Sequence, residues 1–385
     1  MHIEFKSSPG ASLGVEMELE LVDAQTRELR SEASEILAVM GDGHPGHEHP
    51  KAKHELLEST IEIITGVCTT VKEARDDLAV TLAELVGHTA PRGIEVLCSG
   101  THPFSNWADQ QISPNPRYHK LVEEMQWLAR RLQIFGIHVH VGVRSPEKVI
   151  AIANALSGYI PHFLAVSASS PYWMGQDTGL ASSRSKVFEA LPTAGLPYQL
   201  SGWPEFETFM ASMVSSRSIS SIREVWWDIR PHPDFGTVEL RICDGLPRLK
   251  EVAAVAALSQ CLVHWMDSLI DRGYGLPTPR SWIVRENKWK AARYGMDAEL
   301  IIHEDGSLQP VRTGLEELVT ELTPVAAGLG CQEELCSLLT VAEEGPSYRR
   351  QRAVVAGGGT LVDVVDALVA ELRTDDVVVP SAVAS

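Results

Sequence analysis

Basic residues are scarce in this chain. Lys and Arg number 33 against 51 Asp and Glu, a formal net charge of −18 over 385 residues. That balance excludes a general nucleic-acid binder, which needs a basic face. It leaves room for a phosphate-bearing partner only where cations mediate. Cysteine is sparse too: six residues, at 68, 98, 243, 261, 331 and 336, with no CxxC pair. No disulfide framework is visible, which points to a reducing, cytoplasmic compartment. The N-terminal stretch MHIEFKSSPGASLGVE has no apolar core of a signal peptide. No apolar run is read as long enough to span a bilayer, so no membrane partner is expected. No linker rich in Gly, Ser or Pro interrupts the chain, and no repeat recurs at a fixed period. One domain over residues 1–376 is the simplest expectation, with 377–385 a flexible tail. Two nucleotide and nucleophile signatures are also missing. The glycine-rich AGGGTLVD near residue 356 lacks the Lys-Ser/Thr of a P-loop, and there is no GxSxG elbow.

What the chain does have is a set of strands with one apolar face and one chemically equipped face. In GVEMELELV, residues 14–22, Glu16, Glu18 and Glu20 alternate with Val15, Met17, Leu19 and Leu21. Period-two alternation predicts a strand over Gly14–Val22. Residues two apart lie about 6.6–7 Å from each other on one side, a spacing at which carboxylates hold separate or adjacent hard cations. A charged face turned to solvent is the competing reading, and Glu20 stays nearer to it. Leu57–Ile64 (LESTIEII) is a second strand, whose neighbourhood supplies Glu55, Glu58 and Glu62. Ile137–Val143 is a third, with Ile137, Val139, Val141 and Val143 on one face and His138, His140 and Gly142 on the other. Two imidazoles at i and i+2 can converge on one metal, or divide between metal and substrate. Thr237–Cys243 is a fourth, adding Glu239 and Arg241, followed by Asp244. There an internal ion pair competes with a ligand glutamate beside a phosphate-binding arginine. A fifth strand is expected at Ile94–Cys98.

Helices are expected over Val71–Val86, Arg117–Phe135, Leu249–Leu269 and Thr360–Leu372. Another starts at Ser145-Pro146-Glu147, where a capping serine precedes a first-turn proline and an acid. The irregular strand–helix order favours α+β with a largely antiparallel sheet over a doubly wound fold. The histidine-rich HPGHEHPKAKHE (His44, His47, His49, His54) is expected to be a polar surface loop, and Trp226 and Trp227 packing residues. If the four strands share one sheet, their polar faces line one cavity. An oxygen-rich donor set suits Mg²⁺ or Mn²⁺ better than Zn²⁺, and such cations complete their shells with nucleotide phosphates.

The series GVEMELELV, HELLESTIEIITGVC, GTHPFS, RYHKLVEEMQWLARRLQIFGIHVHVGV, SSRSKVFEALP, WWDIRPHPDFGTVELRICD and RENKWKAARYGMDA resembles, in order, the carboxylate–amine ligases of the type 2 glutamate–cysteine ligase family. It extends from about residue 14 to 300. The resemblance implies a glutamine-synthetase-like fold, a curved, mainly antiparallel sheet forming a funnel with helices outside. It implies ATP-dependent activation of a carboxylate, usually the γ-carboxylate of glutamate, as an acyl phosphate, and its capture by an amine. By the motif match Glu16, Glu18, Glu62, His138 and Glu239 correspond to Mg²⁺ ligands, with Glu55 at a further acidic position. Arg241 corresponds to a phosphate-contacting arginine, Arg184 to one near the nucleotide or acyl phosphate, and Arg230 to another in the same cavity. His140 or a nearby carboxylate would take the proton of the amine. The partners implied are glutamate and cysteine, or another small amino acid or amine; a homo-oligomer is compatible with this. Two other classes stay open at this point. One is a metal-dependent hydrolase built on the His138/His140 pair; the other is a non-catalytic nucleotide or metabolite binder.

Overall fold

The computed structural model describes residues 2–376. The tail expected at 377–385 lies outside the described residues. Seven strands make one sheet: β1 (Leu13–Asp23), β2 (Ala52–His54), β3 (Thr60–Ile64), β4 (Ile94–Leu97), β5 (Ile137–Gly142), β6 (Ile229–His232) and β7 (Thr237–Leu240). Their order is β2-β3-β1-β5-β7-β6, with β4 also paired to β1, and every pairing is antiparallel. The fold is thus α+β with an antiparallel sheet, as the irregular strand–helix order predicts.

β1 is the longest strand and the organiser. It pairs with β3 over Glu16–Glu20, with β5 over Leu13–Met17, and with β4 over Glu20–Asp23. Its odd-numbered residues Val15, Met17, Leu19 and Leu21 are buried. They share the core with Ile61, Ile63, Val139, Val141, Val238 and Leu240. Period two therefore sends the apolar side chains of these strands to one face and leaves the other for acids and imidazoles. Helices Val71–Thr89 and Leu249–Asp271 pack on the apolar face. Two stretches, Pro146–Ser167 and Leu249–Asp271, are long and apolar enough to cross a membrane, which corrects the expectation that none is; each is 72% buried within the protein. Their apolar length serves the core, since both lie among other elements rather than on the surface.

Local signals set several boundaries. The Ser145 side chain accepts from the Lys148 amide and Pro146 opens the helix Pro146–Leu156. Thr360 and Asp363 form a reciprocal capping box before Leu361–Thr374. Three expectations fail for tertiary reasons. The helix expected over Arg117–Phe135 breaks into Pro116–Met125 and Trp127–Arg130 at Gln126, whose φ is 50°. Beyond it the chain extends, because Ile134 pairs with Thr101, Gly136 with Asp244, and Phe135 bonds Gly100 and Gly245. The second strand starts at Thr60 rather than Leu57, since Glu58 and Ser59 turn. Within the expected histidine-rich loop, Ala52–His54 forms β2 against β3.

Candidate active site

The sheet register places the polar residues side by side. Glu18 lies opposite Glu62, Glu16 opposite His138, His140 opposite Glu239, and Glu239 opposite Arg230. This row runs across five strands from β3 to β6. It lines a cavity of 720 Å³, closed at its sides by residues such as Tyr118, Leu191 and Trp226. The shared cavity expected from the strand faces is there.

Within the row, His138 Nδ1 lies 3.0 Å from Glu16 Oε2, and His138 Nε2 3.9 Å from Glu18 Oε1. His140 Nε2 lies 3.3 Å from Glu16 Oε1 and 3.8 Å from Glu239 Oε1, while its Nδ1 is 3.1 Å from the Thr237 hydroxyl. Three overlapping groups bring ligand atoms within 4.8 Å of one another: Glu18 with Glu55 and Glu62; Glu16 with Glu62 and His138; Glu16 with His140 and Glu239. All six expected ligands, Glu16, Glu18, Glu55, Glu62, His138 and Glu239, fall in these groups. His140, expected to be a proton acceptor, falls in one as well. The two imidazoles of HVH belong to different groups, which share Glu16.

The electrostatics explain what such a row needs. Burial, followed by the Glu55 charge, pushes the Glu18 carboxyl up to about 7. Burial and then repulsion from Glu16, Glu55 and Glu18 raise Glu62 well above the usual carboxylate range. Burial raises Glu55 as well. For Glu16 and Glu239 burial pulls the same way and loses. The histidines hold Glu16 low, and the Arg230 and Arg241 guanidinia hold Glu239 low. Burial and Arg241 lower His138 to about 4, keeping a neutral imidazole free to donate a lone pair. Crowded, mostly half-buried carboxylates with one neutral imidazole form a hard, oxygen-rich donor set, and they fit divalent cations such as Mg²⁺.

The arginines take three different places. Arg230 is fully engaged: Nε and Nη2 bond Glu239 Oε2, and Nη1 bonds the carbonyls of Ile222 and Val225. Arg241 lines the cavity and pairs with Glu239, the ion pair that competed with phosphate binding in the sequence. Its buried Nε has no partner among the described residues. Arg184 lies behind the wall rather than on it. Its guanidinium packs on Gly136 so closely that no Cβ fits there, and the Gly136 amide donates to Glu18. Arg184 therefore supports Glu18 from beneath.

Three acids leave the site. Glu20 is fully buried, not solvent-facing: β4 joins β1 at this point and Ser99 covers it with a hydrogen bond of 2.8 Å. Burial raises its carboxyl well above the usual range. Glu58 accepts from the Ser34 amide and hydroxyl at the start of helix Ala33–Gly41. Asp244 is likewise structural, accepting from Ser169, Ser170 and Ser182.

Other wall residues escaped the sequence reading. Arg117 and Arg223, both exposed, add positive charge to the cavity wall. His47, His49 and His54 also face the cavity instead of lying on a free loop. Trp227 packs as expected against Phe206 and Phe209, and Trp226 adds to the wall. Lys288, from RENKW, is only 2% exposed; its Nζ lies 2.6 Å from Asp228 and 2.5 Å from Glu189. Glu189 sits between the wall residues Phe188 and Leu191, so this lysine ties the wall segment to the strand entering β6.

Residues 12–366 match the family model described as glutamate–cysteine ligase family 2. A Frankia casuarinae protein provisionally named glutamate–cysteine ligase 2-1 is 60% identical over 97% of this chain and 98% of its own. A Thermobifida fusca protein provisionally named glutamate–cysteine ligase 2 is 54% identical over 97% and 94%. Among solved structures, the chain is similar to glutamate–cysteine ligase of Francisella tularensis in complex with AMP. That likeness has a TM-score of 0.67 at 12% identity, covering 97% of this chain and 90% of that one. A bifunctional glutathione synthetase from Pasteurella multocida gives a TM-score of 0.66 at 16% identity and 95% coverage; this chain spans about half (52%) of its length.

Proposed function

The chain belongs to glutamate–cysteine ligase family 2, and from that premise we propose that its ATP-dependent ligase chemistry joins the γ-carboxylate of glutamate to the amine of cysteine or another small amino acid. The single observation that carries this reading is the row of carboxylates, imidazoles and guanidinia on one face of the sheet, lining a cavity large enough for nucleotide and substrates.

A carboxylate is a poor electrophile, because its own charge repels nucleophiles. In the first step a γ-carboxylate oxygen attacks the terminal phosphorus of ATP and ADP leaves, giving an acyl phosphate. In the second the amine attacks the acyl carbon and phosphate leaves, giving the amide. Glu18, Glu55 and Glu62, Glu16 with His138, and His140 with Glu239 would hold Mg²⁺. Bound there, Mg²⁺ neutralises phosphate charge and orients the transferred group. Arg230 holds Glu239 in a fixed two-point grip, and Arg184 props Glu18, so the row is preorganised. Arg241 is the arginine on the wall that can turn from Glu239 toward a transferred phosphoryl group. The proton lost by the amine goes to His140 or to a carboxylate of the cavity wall. No observation favours the hydrolase: His138 and His140 fall in two different glutamate-containing groups that share Glu16.

The test is ADP release with Mg-ATP and glutamate across a panel of amino acids and small amines, with mass detection of products. The expected result is glutamate-dependent ADP release and one γ-glutamyl amide. ADP release with no glutamate requirement would overturn the donor assignment.

A further inference from the structure

In the core on the apolar side of the sheet, away from the acid row, two thiols are in contact. Cys261 sits within the helix Leu249–Asp271, and Cys331 directly precedes the helix Gln332–Glu344. Their sulfurs are 3.6 Å apart, although the two residues are 70 positions apart in the chain. Both are buried, and neither lines the cavity. A disulfide bond is about 2 Å long, so the sulfurs have about 1.5 Å to close, within reach of rotation about the two Cα–Cβ bonds.

The two thiols differ in surroundings. Cys261 lies in mid-helix with Gln260 and Leu262, both buried, on either side. Cys331 lies in the turn between the helices Val311–Leu329 and Gln332–Glu344, flanked by the exposed Gly330 and Gln332. Cys331 is therefore the one that a small reagent reaches first. The hydrogen bond between the thiols, followed by burial, pushes Cys261 up, and the same bond holds Cys331 low. That favours Cys331 as the attacking thiolate and Cys261 as the thiol that resolves it.

We propose that Cys261 and Cys331 are a site of reversible oxidation, closed to an intramolecular disulfide by hydrogen peroxide. The Cys331 thiolate attacks one peroxide oxygen, the O–O bond breaks, and the hydroxide that leaves takes up a proton to become water. Cys261 then attacks the sulfur of the Cys331 sulfenic acid and gives up its proton, and a second water leaves. Two thiols are oxidised and one peroxide is reduced to two waters. The new bond clamps the turn at Cys331 to the helix Leu249–Asp271. That helix already fixes the chain ahead of β1 and of the helix Val71–Thr89, because Gln260 Nε2 donates to the carbonyls of Ala11 at 2.8 Å and Thr69 at 3.0 Å. A cross-link between residues so far apart in the chain restricts the unfolded state, so the oxidised protein is the more stable form.

The experiment treats the folded full chain with hydrogen peroxide, alkylates the remaining thiols after unfolding, and maps the peptides by mass. A glutamate-specific protease cuts after Glu333 and Glu334, which separates Cys331 from the exposed Cys336. The expected product is one joined pair of peptides carrying Cys261 and Cys331, two hydrogens lighter than the separate thiols and reopened by dithiothreitol. It should form equally in Cys336→Ser, and the oxidised protein should melt several degrees above the reduced one. Both thiols alkylated after treatment, either one joined to a different cysteine, or a pair that forms only in urea overturns the site. A joined pair with no rise in melting temperature overturns the clamp.

Discussion

Glu62 bears the heaviest repulsion of the row: burial, and then the charges of Glu16, Glu55 and Glu18, raise its carboxyl well above the usual range. A cation removes that penalty, so cation affinity and carboxylate charge are linked. Glu62→Gln keeps the shape and removes the negative charge. We expect the Mg²⁺ needed for half-maximal rate to rise at least about 10-fold, with the melting temperature unchanged or higher. Full activity at low Mg²⁺ would remove Glu62 from the ligand set. Arg241 poses a different question, because it already has a partner in Glu239. Arg241→Lys keeps that ion pair and loses the planar fork, so kcat should fall by about 10-fold or more if the fork meets a phosphoryl group. Near-normal kinetics would make the ion pair its whole role. The alternation in GVEMELELV made the faces of Glu16 and Glu18 legible. It could not place Glu20, which shares their face, because period two says which side a residue takes and not what covers it. Ser99, the residue that covers Glu20 beside β4, lies 79 positions further along the chain.

At the scale of elements, the strands and capped helices were legible because their signals are local. Ser145-Pro146 and Thr360–Asp363 fixed helix starts through contacts within one turn. The break at Gln126 was not legible, because the force that extends Leu132–Gly136 is pairing with residues near 100 and 244. The helix Ser281–Tyr294 shows the same limit. Its RENKW motif was visible as a motif, but not that Lys288 crosses the interior to Asp228 and Glu189. Lys288→Met should leave two carboxylates short of their cation. We expect a loss of about 3–5 kcal/mol in urea unfolding. Lys288→Met combined with Asp228→Asn should recover part of it. A loss under about 1 kcal/mol in the single variant would mean that the wall segment is held by other contacts.

For the whole molecule, the net charge of −18 sits beside a site proposed to gather phosphates. On that reading the carboxylate row reconciles the two, since cations held there would invert the local sign. The cavity exists only because β1 lies between β3 and β5, and β7 between β5 and β6. Strand faces could be taken from sequence, whereas strand order could not. Between Ile64, which ends β3, and Ile137, which opens β5, the chain makes the helix Val71–Thr89, β4 and the broken helix around Gln126. Pairing across such separations set the order, and no local signal encodes it.

The central claim is that a carboxylate is activated by direct phosphorylation in this cavity. The most direct measurement follows heavy oxygen from glutamate labelled in its γ-carboxylate, with Mg-ATP and the acceptor that gives product. An acyl phosphate requires one γ-carboxylate oxygen to leave with the released phosphate, so label is expected in that phosphate at every turnover. Phosphate released without label, alongside amide product, would contradict it.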